Sequence, residues 1–357
     1  MKLPAIALCM FAAIGLACLN AAGAPEPTKE EKERFRRAAE YSKSARGLSM
    51  VVMRDGELLF EDYAPIWNRD KPHLLGTGTM SFVGVLAACA AHDGLLTFDE
   101  KASDTLVEWR NGGAKEQLTI RQLLGMCSGI EGVNPVNALP TYRHAVMTAE
   151  SSALAGERFS FGPVPVQCFG ELLRRKLAPQ NLAVGDYIER RLLGPLGLRV
   201  AFWRRDVDND PILYSGAFLT AGEWAKLGEL LRTGGRSEGH EVVRADLLAA
   251  VTQAQPAQPA YGLGWWLLGV DDAGSAAFVE GRSPERVARA IEGRKATDYF
   301  PPADTIAAMG KGKQRCYVIP SRRMVIVRTG DSDSREFSDH EFLGLVLGPE
   351  EPADTTQ

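Results

Sequence analysis

The residues with the clearest chemical potential are hydroxyls at the start of an apolar stretch, in the segment Thr77-Gly78-Thr79-Met80-Ser81. A hydroxyl at a helix N-terminus can act as a nucleophile when a base one helical turn away takes its proton. Met80 stands three residues after Thr77, and a thioether is not a base. Ser81 projects from a different helix face and has no lysine three residues later. The segment therefore has a nucleophile position without an activating residue.

A second hydroxyl motif, Gly235-Arg236-Ser237-Glu238-Gly239, matches the Gly-x-Ser-x-Gly sequence of a nucleophile elbow, and His240 follows it. Such an elbow requires a strand before the serine and a helix after it, whereas this segment follows a predicted helix. His73 precedes the Thr77 segment and is a candidate for its border, although a single histidine is more often structural or solvated. We expect neither Ser237 nor His73 to carry catalysis.

An ordered set of short motifs resembles the family of penicillin-binding proteins and serine β-lactamases, which includes related esterases and amidases. The Thr77 segment stands where that family carries Ser-x-x-Lys. The other matching segments follow in the same order: His92 to Leu96, Trp109-Arg110, Leu118 to Leu124, Ser128-Gly129-Ile130, Phe159 to Pro163 at the Tyr-x-Asn position, Gly194 to Leu198, Tyr261 to Trp266, and Gly310 to Arg315 near the Lys-Thr-Gly position. The resemblance covers about residues 45 to 347.

The resemblance implies where the family's catalytic groups stand in this chain. Its nucleophilic serine corresponds to Thr77, its lysine base to Met80 and its assisting tyrosine to Phe161. A general base contributes about 10²- to 10⁴-fold to a rate, so loss of the lysine alone predicts impaired catalysis.

The resemblance also implies a ligand-binding segment at Lys311, Gly312 and Lys313, where the family holds a carboxylate or carbonyl group of its substrate. Either lysine is a candidate for binding an anion, and solvated lysines are the equally weighted alternative. No cofactor is implied. The cysteines after the N-terminal leader are too widely spaced for a metal site, and we expect them to be buried thiols. They are Cys89, Cys127, Cys168 and Cys316.

Three functions remain open from the sequence. The first is a hydrolase relative that has lost most or all catalysis and keeps a cleft for a small ester, amide or peptide-like ligand. The second is a weak esterase or amidase that uses Thr77 as nucleophile, with Lys311 or Lys313 as base. The third is a non-catalytic envelope scaffold. The simplest interpretation of the motif is structural, with Thr77 and Thr79 as helix caps and Met80 as core filling.

The hydrophobic patterns predict an α/β (α+β) fold, and the resemblance implies that it is of the β-lactamase/transpeptidase type. Strands at both ends bracket a helical middle, which indicates an antiparallel sheet from the N- and C-terminal strands, flanked by helices, with an inserted helical lobe. The sheet lobe covers about 28–75 and 258–347, and the helical lobe about 76–257. Helices are predicted at Thr28–Ala45, Thr79–His92, Ile120–Met126, Val164–Lys176, Val184–Leu193, Thr220–Thr233 and from Ser338, with a short candidate at Pro284–Ile291; strands are predicted at Leu48–Met53, Glu57–Tyr63, Tyr261–Leu268, Arg315–Ile319 and Met324–Arg328.

The N-terminus has the layout of a secretory signal: Lys2, an apolar run to Leu19, and small residues before Ala24. We expect residues 1–23 to be a signal peptide, 24–348 the folded domain and 349–357 a flexible tail, in a periplasmic or secreted protein. Lipid anchoring through Cys18 is the minor alternative. The net charge of −4, with scattered Lys and Arg, argues against nucleic acid as a partner. No segment after the leader is apolar enough to span a membrane.

Overall fold

The chain enters its fold through a capped helix, α1 (Lys29–Ser44). Thr28 accepts a hydrogen bond from the Glu31 N–H, and the Glu31 carboxylate accepts one from the Thr28 N–H. This capping box satisfies two N–H groups that would otherwise lack partners. The computed structural model describes residues 26–111, 113–131, 141–269, 301–331 and 337–348. The predicted leader, the helix candidate at Pro284–Ile291 and the tail lie outside these ranges.

Short helices and strands follow α1 along the chain. The further helices are α2 (Ser81–His92), α3 (Ala102–Thr105), α4 (Ile120–Leu124), α5 (Tyr142–Thr148), α6 (Pro163–Leu177), α7 (Val184–Ile188), α8 (Ala221–Arg232), α9 (Ala245–Ala249) and α10 (Asp339–Leu347). The strands are β1 (Gly47–Arg54), β2 (Glu57–Tyr63), β3 (His73–Leu74), β4 (Phe202–Trp203), β5 (Ala217–Leu219), β6 (Arg236–Ser237), β7 (His240–Glu241), β8 (Trp266–Leu267), β9 (Ile306–Gly310), β10 (Gln314–Ile319) and β11 (Met324–Gly330).

The main sheet has six strands in the order β2-β1-β11-β10-β9-β8, and the pairs are antiparallel. Its β1–β11 pair joins an N-terminal strand to a C-terminal strand, and Val51 of β1 lies opposite Val327 of β11. Three further strands, β3, β5 and β4, form a small sheet beside the Thr77 segment. The predicted antiparallel sheet from N- and C-terminal strands, with helices between them in sequence, is confirmed.

The main sheet separates two hydrophobic cores. On one face α1 and α10 pack against residues such as Met50, Tyr317 and Ile326. On the other face α8 lies against β10 and β11, and α2 belongs to the larger core beyond it. Burial on both faces explains why most residues of β10 and β11 are apolar, because a strand covered on one side alone would alternate with polar residues.

The structure corrects several element boundaries. The predicted helix from Thr79 begins as a 3-10 turn, Gly76–Met80, and becomes α-helical at Ser81. The predicted strand Tyr261–Leu268 is reduced to β8, with an isolated bridge from Tyr261 to Trp266. Thr220, the first residue of a predicted helix, caps α8 by accepting a hydrogen bond from the Glu223 N–H. The Glu223 carboxylate does not return this contact to Thr220 but accepts a hydrogen bond from the Arg199 N–H at 2.7 Å.

Candidate active site

The turn that carries Thr77 lies between β3 and α2 and touches the end of β9. A Cβ atom on Gly310, the last residue of β9, would lie 1.9 Å from the carbonyl oxygen of Leu75. Only glycine permits so close an approach of two backbones, so Gly310 lets β9 pack against the turn. Gly76 has φ +56°, and the Lys311 backbone nitrogen would lie 3.3 Å from a Cβ there. Gly76 and Gly310 thus allow the Thr77 turn, which carries the first motif, to pack against the last motif, Gly310 to Arg315.

The Thr77 hydroxyl is engaged by the backbone of β9. Its Oγ1 donates a hydrogen bond to the carbonyl oxygen of Met309 at 3.2 Å. A backbone carbonyl does not remove the proton, so this contact holds the hydroxyl without activating it. Within the described residues, the hydroxyl makes no hydrogen bond to a basic side chain.

Met80 lies in the hydrophobic core. Its side chain is 2% exposed and belongs to the cluster that includes Phe82 and Leu263. The backbone of Gly264 passes directly beside it, since a Cβ there would lie 2.3 Å from the Met80 carbonyl oxygen. Core filling by Met80 is therefore confirmed. The position to which the resemblance assigns the base is closed and apolar in this chain.

The predicted caps at Thr77 and Thr79 are wrong. No side chain caps the 3-10 turn or α2. Thr79 is buried and accepts a hydrogen bond from the Ala217 N–H of β5 at 3.2 Å, which ties the turn to the small sheet. Ser81 is also fully buried, donates to the Gly78 carbonyl at 2.6 Å and accepts from the Trp224 indole N–H. Its hydroxyl is therefore structural, and the expectation that Ser81 is not a substitute nucleophile agrees with the structure.

Phe161 belongs to an aromatic cluster. Its ring centroid lies 5.8 Å from that of Trp266 and 5.9 Å from that of Tyr261, and Phe159 packs against the same Tyr261 ring at 5.2 Å. Tyr261 is fully buried, and burial raises the pKa of its phenol above the ordinary value, against the favourable backbone N–H of Gly264. A phenol with a raised pKa stays protonated at neutral pH and cannot act as a base. The cluster supplies apolar surface where the family carries a proton relay.

The predicted ligand segment forms the tight turn between β9 and β10. Lys311 is exposed on it, Gly312 is buried and Lys313 adopts φ +57°. The turn is held from below, because the buried Arg328 donates a hydrogen bond to the Lys313 carbonyl at 2.8 Å. The same guanidinium lies 4.0 Å from the Phe337 ring centroid. Sequence patterns do not predict this support, because Arg328 belongs to a strand whose other residues are mostly apolar.

The two remaining candidates lie in structural roles. Ser237 lies in the two-residue strand β6, which is followed by strand β7, so the helix that a nucleophile elbow requires after the serine is not there. His73 forms β3 with Leu74, and its ring stacks against Trp67 at 5.7 Å. Within the described ranges, no three potential ligands come together as a metal site. The helices in those ranges are all too short or too polar to cross a bilayer.

Comparison with known proteins shows which family the chain resembles. The family model described as Beta-lactamase matches residues 32–340. No curated protein matches the chain. Among solved structures, a penicillin-binding protein homolog from Caulobacter crescentus is 16% identical, with a TM-score of 0.67 over 90% of this chain and 97% of that one.

Two further solved structures have the same fold. A family VIII carboxylesterase is 15% identical, with a TM-score of 0.66 over 90% of this chain and 97% of that one. A class C β-lactamase from Rhodobacter sphaeroides is 15% identical, with a TM-score of 0.61 over 90% and 99%. At such identities the solved structures establish the fold alone, whereas the family model spans most of the chain. The chain belongs to the Beta-lactamase family, whose serine hydrolase fold it retains.

Proposed function

We propose that this protein is a catalytically impaired member of its family that binds a small ester, amide or peptide-like ligand without hydrolysing it at an ordinary rate. The observation that carries the proposal is the closed position of Met80, beside a Thr77 hydroxyl that donates to a backbone carbonyl. In the acyl-transfer chemistry of the family, the nucleophile's proton must pass to a base as the new bond forms.

The missing base sets the size of the loss. A general base is worth about 10²- to 10⁴-fold, or roughly 3–5 kcal/mol of transition-state stabilisation. Threonine adds a second obstacle, because its branched Cβ restricts rotation and crowds an approaching carbonyl group. Phe161 removes the second proton-handling group. These losses act on one unit and do not simply multiply.

Ligand binding is supported by the groups that remain. The exposed Lys311 offers a cation next to the Thr77 turn, and the half-buried Phe159 and Phe161 offer apolar surface. An anionic or carbonyl group near Lys311 and an apolar body near the aromatic rings would suit a small acyl compound. We also propose export through the N-terminal leader, as the sequence layout of residues 1–23 favours.

The test measures hydrolysis of a chromogenic ester and a reporter β-lactam by the purified mature protein. We expect the wild type and Thr77→Ala to give the same background rate. The variant Thr77→Ser/Met80→Lys/Phe161→Tyr should gain activity where it folds, as judged by thermal unfolding. Robust turnover by the wild type that Thr77→Ala abolishes would instead establish an active enzyme with a threonine nucleophile. Because this comparison uses the native scaffold, it decides the proposal even where the triple variant fails to fold.

Binding is measured separately. Short N-acyl amino acids serve as probes, and their affinity is compared between the wild type, Lys311→Gln and Lys71→Gln, a control that removes a surface lysine from another loop. A loss of about tenfold in Lys311→Gln alone would support the ligand site, since charge-assisted hydrogen bonds contribute about 1.5–3 kcal/mol. Equal affinities in all three proteins would contradict it.

A further inference from the structure

A cavity lies at the opposite end of β10 from the Thr77 site. It has a volume of about 390 Å³ and opens where the β10–β11 turn meets α1 and the end of α10. The six residues of β10 separate the two places by about 17 Å, at 3.3 Å for each residue. Its floor is apolar, and its charged lining consists of Glu30, Glu31, Arg34, Arg54, Arg322 and Arg323. We call it the arginine cavity.

Both carboxylates in the lining of the arginine cavity already pair with arginines. Glu30 pairs with Arg34 at 2.9 Å, and Glu31 pairs with Arg54 at 2.5 Å. Burial raises the pKa of Glu31, but hydrogen bonds from Arg54 and Thr28 outweigh it and leave the pKa below its usual value. Glu31 is therefore charged at neutral pH, and both glutamates are paired with arginines.

Two arginine groups remain without acceptors. Arg322, half-buried on the turn Pro320–Arg322, has no carboxylate partner in the part of the chain that the structure describes. The Nε atom of Arg34 is buried and has no hydrogen-bond acceptor there either. A buried donor without an acceptor destabilises the folded chain, so an oxyanion that supplied acceptors here would bind favourably. Arg323 pairs with Asp55, which lies outside the lining, at 3.0 Å.

We propose that the arginine cavity binds a small oxyanion of the phosphate or phosphate-monoester class. Arg34, Arg54 and Arg323 each pair with a carboxylate, so the arginine cavity keeps one positive charge in excess, that of Arg322, which attracts an anion. A free guanidinium presents paired N–H donors that suit two phosphate oxygens. The apolar side chains of the floor leave room for a small organic substituent. This site uses none of the residues around Thr77 and is independent of the function proposed for them.

The test is calorimetric titration of the full mature chain with inorganic phosphate, at constant ionic strength adjusted with sodium chloride. We expect saturable binding that Arg322→Gln weakens by about tenfold, because it removes charge-assisted hydrogen bonds. Arg322→Lys keeps the charge and loses the paired donors, so its affinity should fall between the other two. Arg322 lies on an exposed turn, and unchanged thermal unfolding without phosphate would show that the variants fold.

The matched control is Arg36→Gln on α1, which removes the same charge from a side chain that is 65% exposed and lies outside the cavity. The phosphate affinity of Arg36→Gln should change by less than about twofold, because salt screens the attraction between an anion in the cavity and an exposed charge outside it. Equal losses in Arg322→Gln and Arg36→Gln would show that overall charge alone attracts the anion and would overturn the proposal. The absence of saturable binding to the wild type would overturn it as well.

Discussion

Replacing Met80 by lysine tests whether the base position is closed to water. The Met80 side chain is 2% exposed and packs in the larger core, so an ammonium introduced there would lose its hydration without gaining a partner. Full burial lowers a lysine pKa by about 3–5 units, from about 10.4 to between roughly 5 and 7. The folded variant would then hold the amine largely uncharged at neutral pH, whereas the unfolded chain would hold it charged.

The cost follows from this difference in proton binding. At pH 7 it approaches 1.36 kcal/mol for each pH unit between 7 and 10.4, which is about 4.6 kcal/mol. The unfolded state binds more protons in this window, so the free energy of unfolding of Met80→Lys should rise toward that of the wild type as the pH increases. By about pH 10 the charge penalty should fall below roughly 1 kcal/mol. The volume-conserving control Met80→Leu should cost less than about 1.5 kcal/mol at every pH.

The assay is urea unfolding of the wild type, Met80→Lys and Met80→Leu, followed by tryptophan fluorescence across this pH window. A lysine variant that matches the leucine variant in stability and shows no pH slope would refute the inference that position 80 is dry. The same measurement applies to Thr77→Ser/Met80→Lys/Phe161→Tyr. If the serine and tyrosine hydroxyls solvate the amine, the triple variant should be more stable than the sum of its single changes predicts.

The remaining predictions concern two aspartates. Asp339→Asn should cost about 3–5 kcal/mol in urea unfolding, because it breaks the buried pair with Arg315 at 2.5 Å; the exposed Asp331→Asn should cost less than about 1 kcal/mol. Burial raises the pKa of Asp339 but the Arg315 charge outweighs it and brings it to about 2, so the stability it contributes should be lost as the pH falls from about 4 to 2, and Asp339→Asn should flatten that slope. Burial, reinforced by Asp206, raises the pKa of Asp210 to about 6. Its stability contribution should therefore fall as the pH rises from about 4 to 6, and Asp210→Asn should gain up to about 1 kcal/mol at pH 7 after allowance for its exposure, measured as a shift in the urea midpoint. A variant with no gain would contradict this.

Local signals explain the parts of the fold that the sequence predicted. The hydroxyls of Thr28, Thr119 and Ser338, at the starts of three predicted helices, each accept a hydrogen bond from an N–H only three residues away. The Asp55-Gly56 turn likewise sets β1 and β2 next to one another. Gly310, in the segment that the resemblance assigns to ligand binding, packs against the Thr77 turn.

Non-local contacts explain what the sequence missed. Strand β9, Ile306–Gly310, contains two alanines and a glycine, which are unfavourable in strands, and its conformation depends on pairing with β10 and β8. The hydrogen bond from Thr77 to Met309 joins residues 232 positions apart, so no pattern within either segment indicates it. The caps expected at Thr77 and Thr79 were wrong for the same reason, since both hydroxyls bond to strands rather than to their own helix.

The pairing of β1 with β11 has a consequence for how the molecule assembles. Ser49 and Thr329 hydrogen-bond across 280 positions of sequence, so β1 joins β11 only when most of the chain is present. Bringing such distant strands together costs entropy before any contact repays it, which slows folding. The helices between them rely on nearby partners, as α5 does on α6, and can collapse earlier. The Thr77 hydroxyl finds its acceptor only after β9 has joined the sheet, and its attachment to Met309 should accordingly be among the last events of folding.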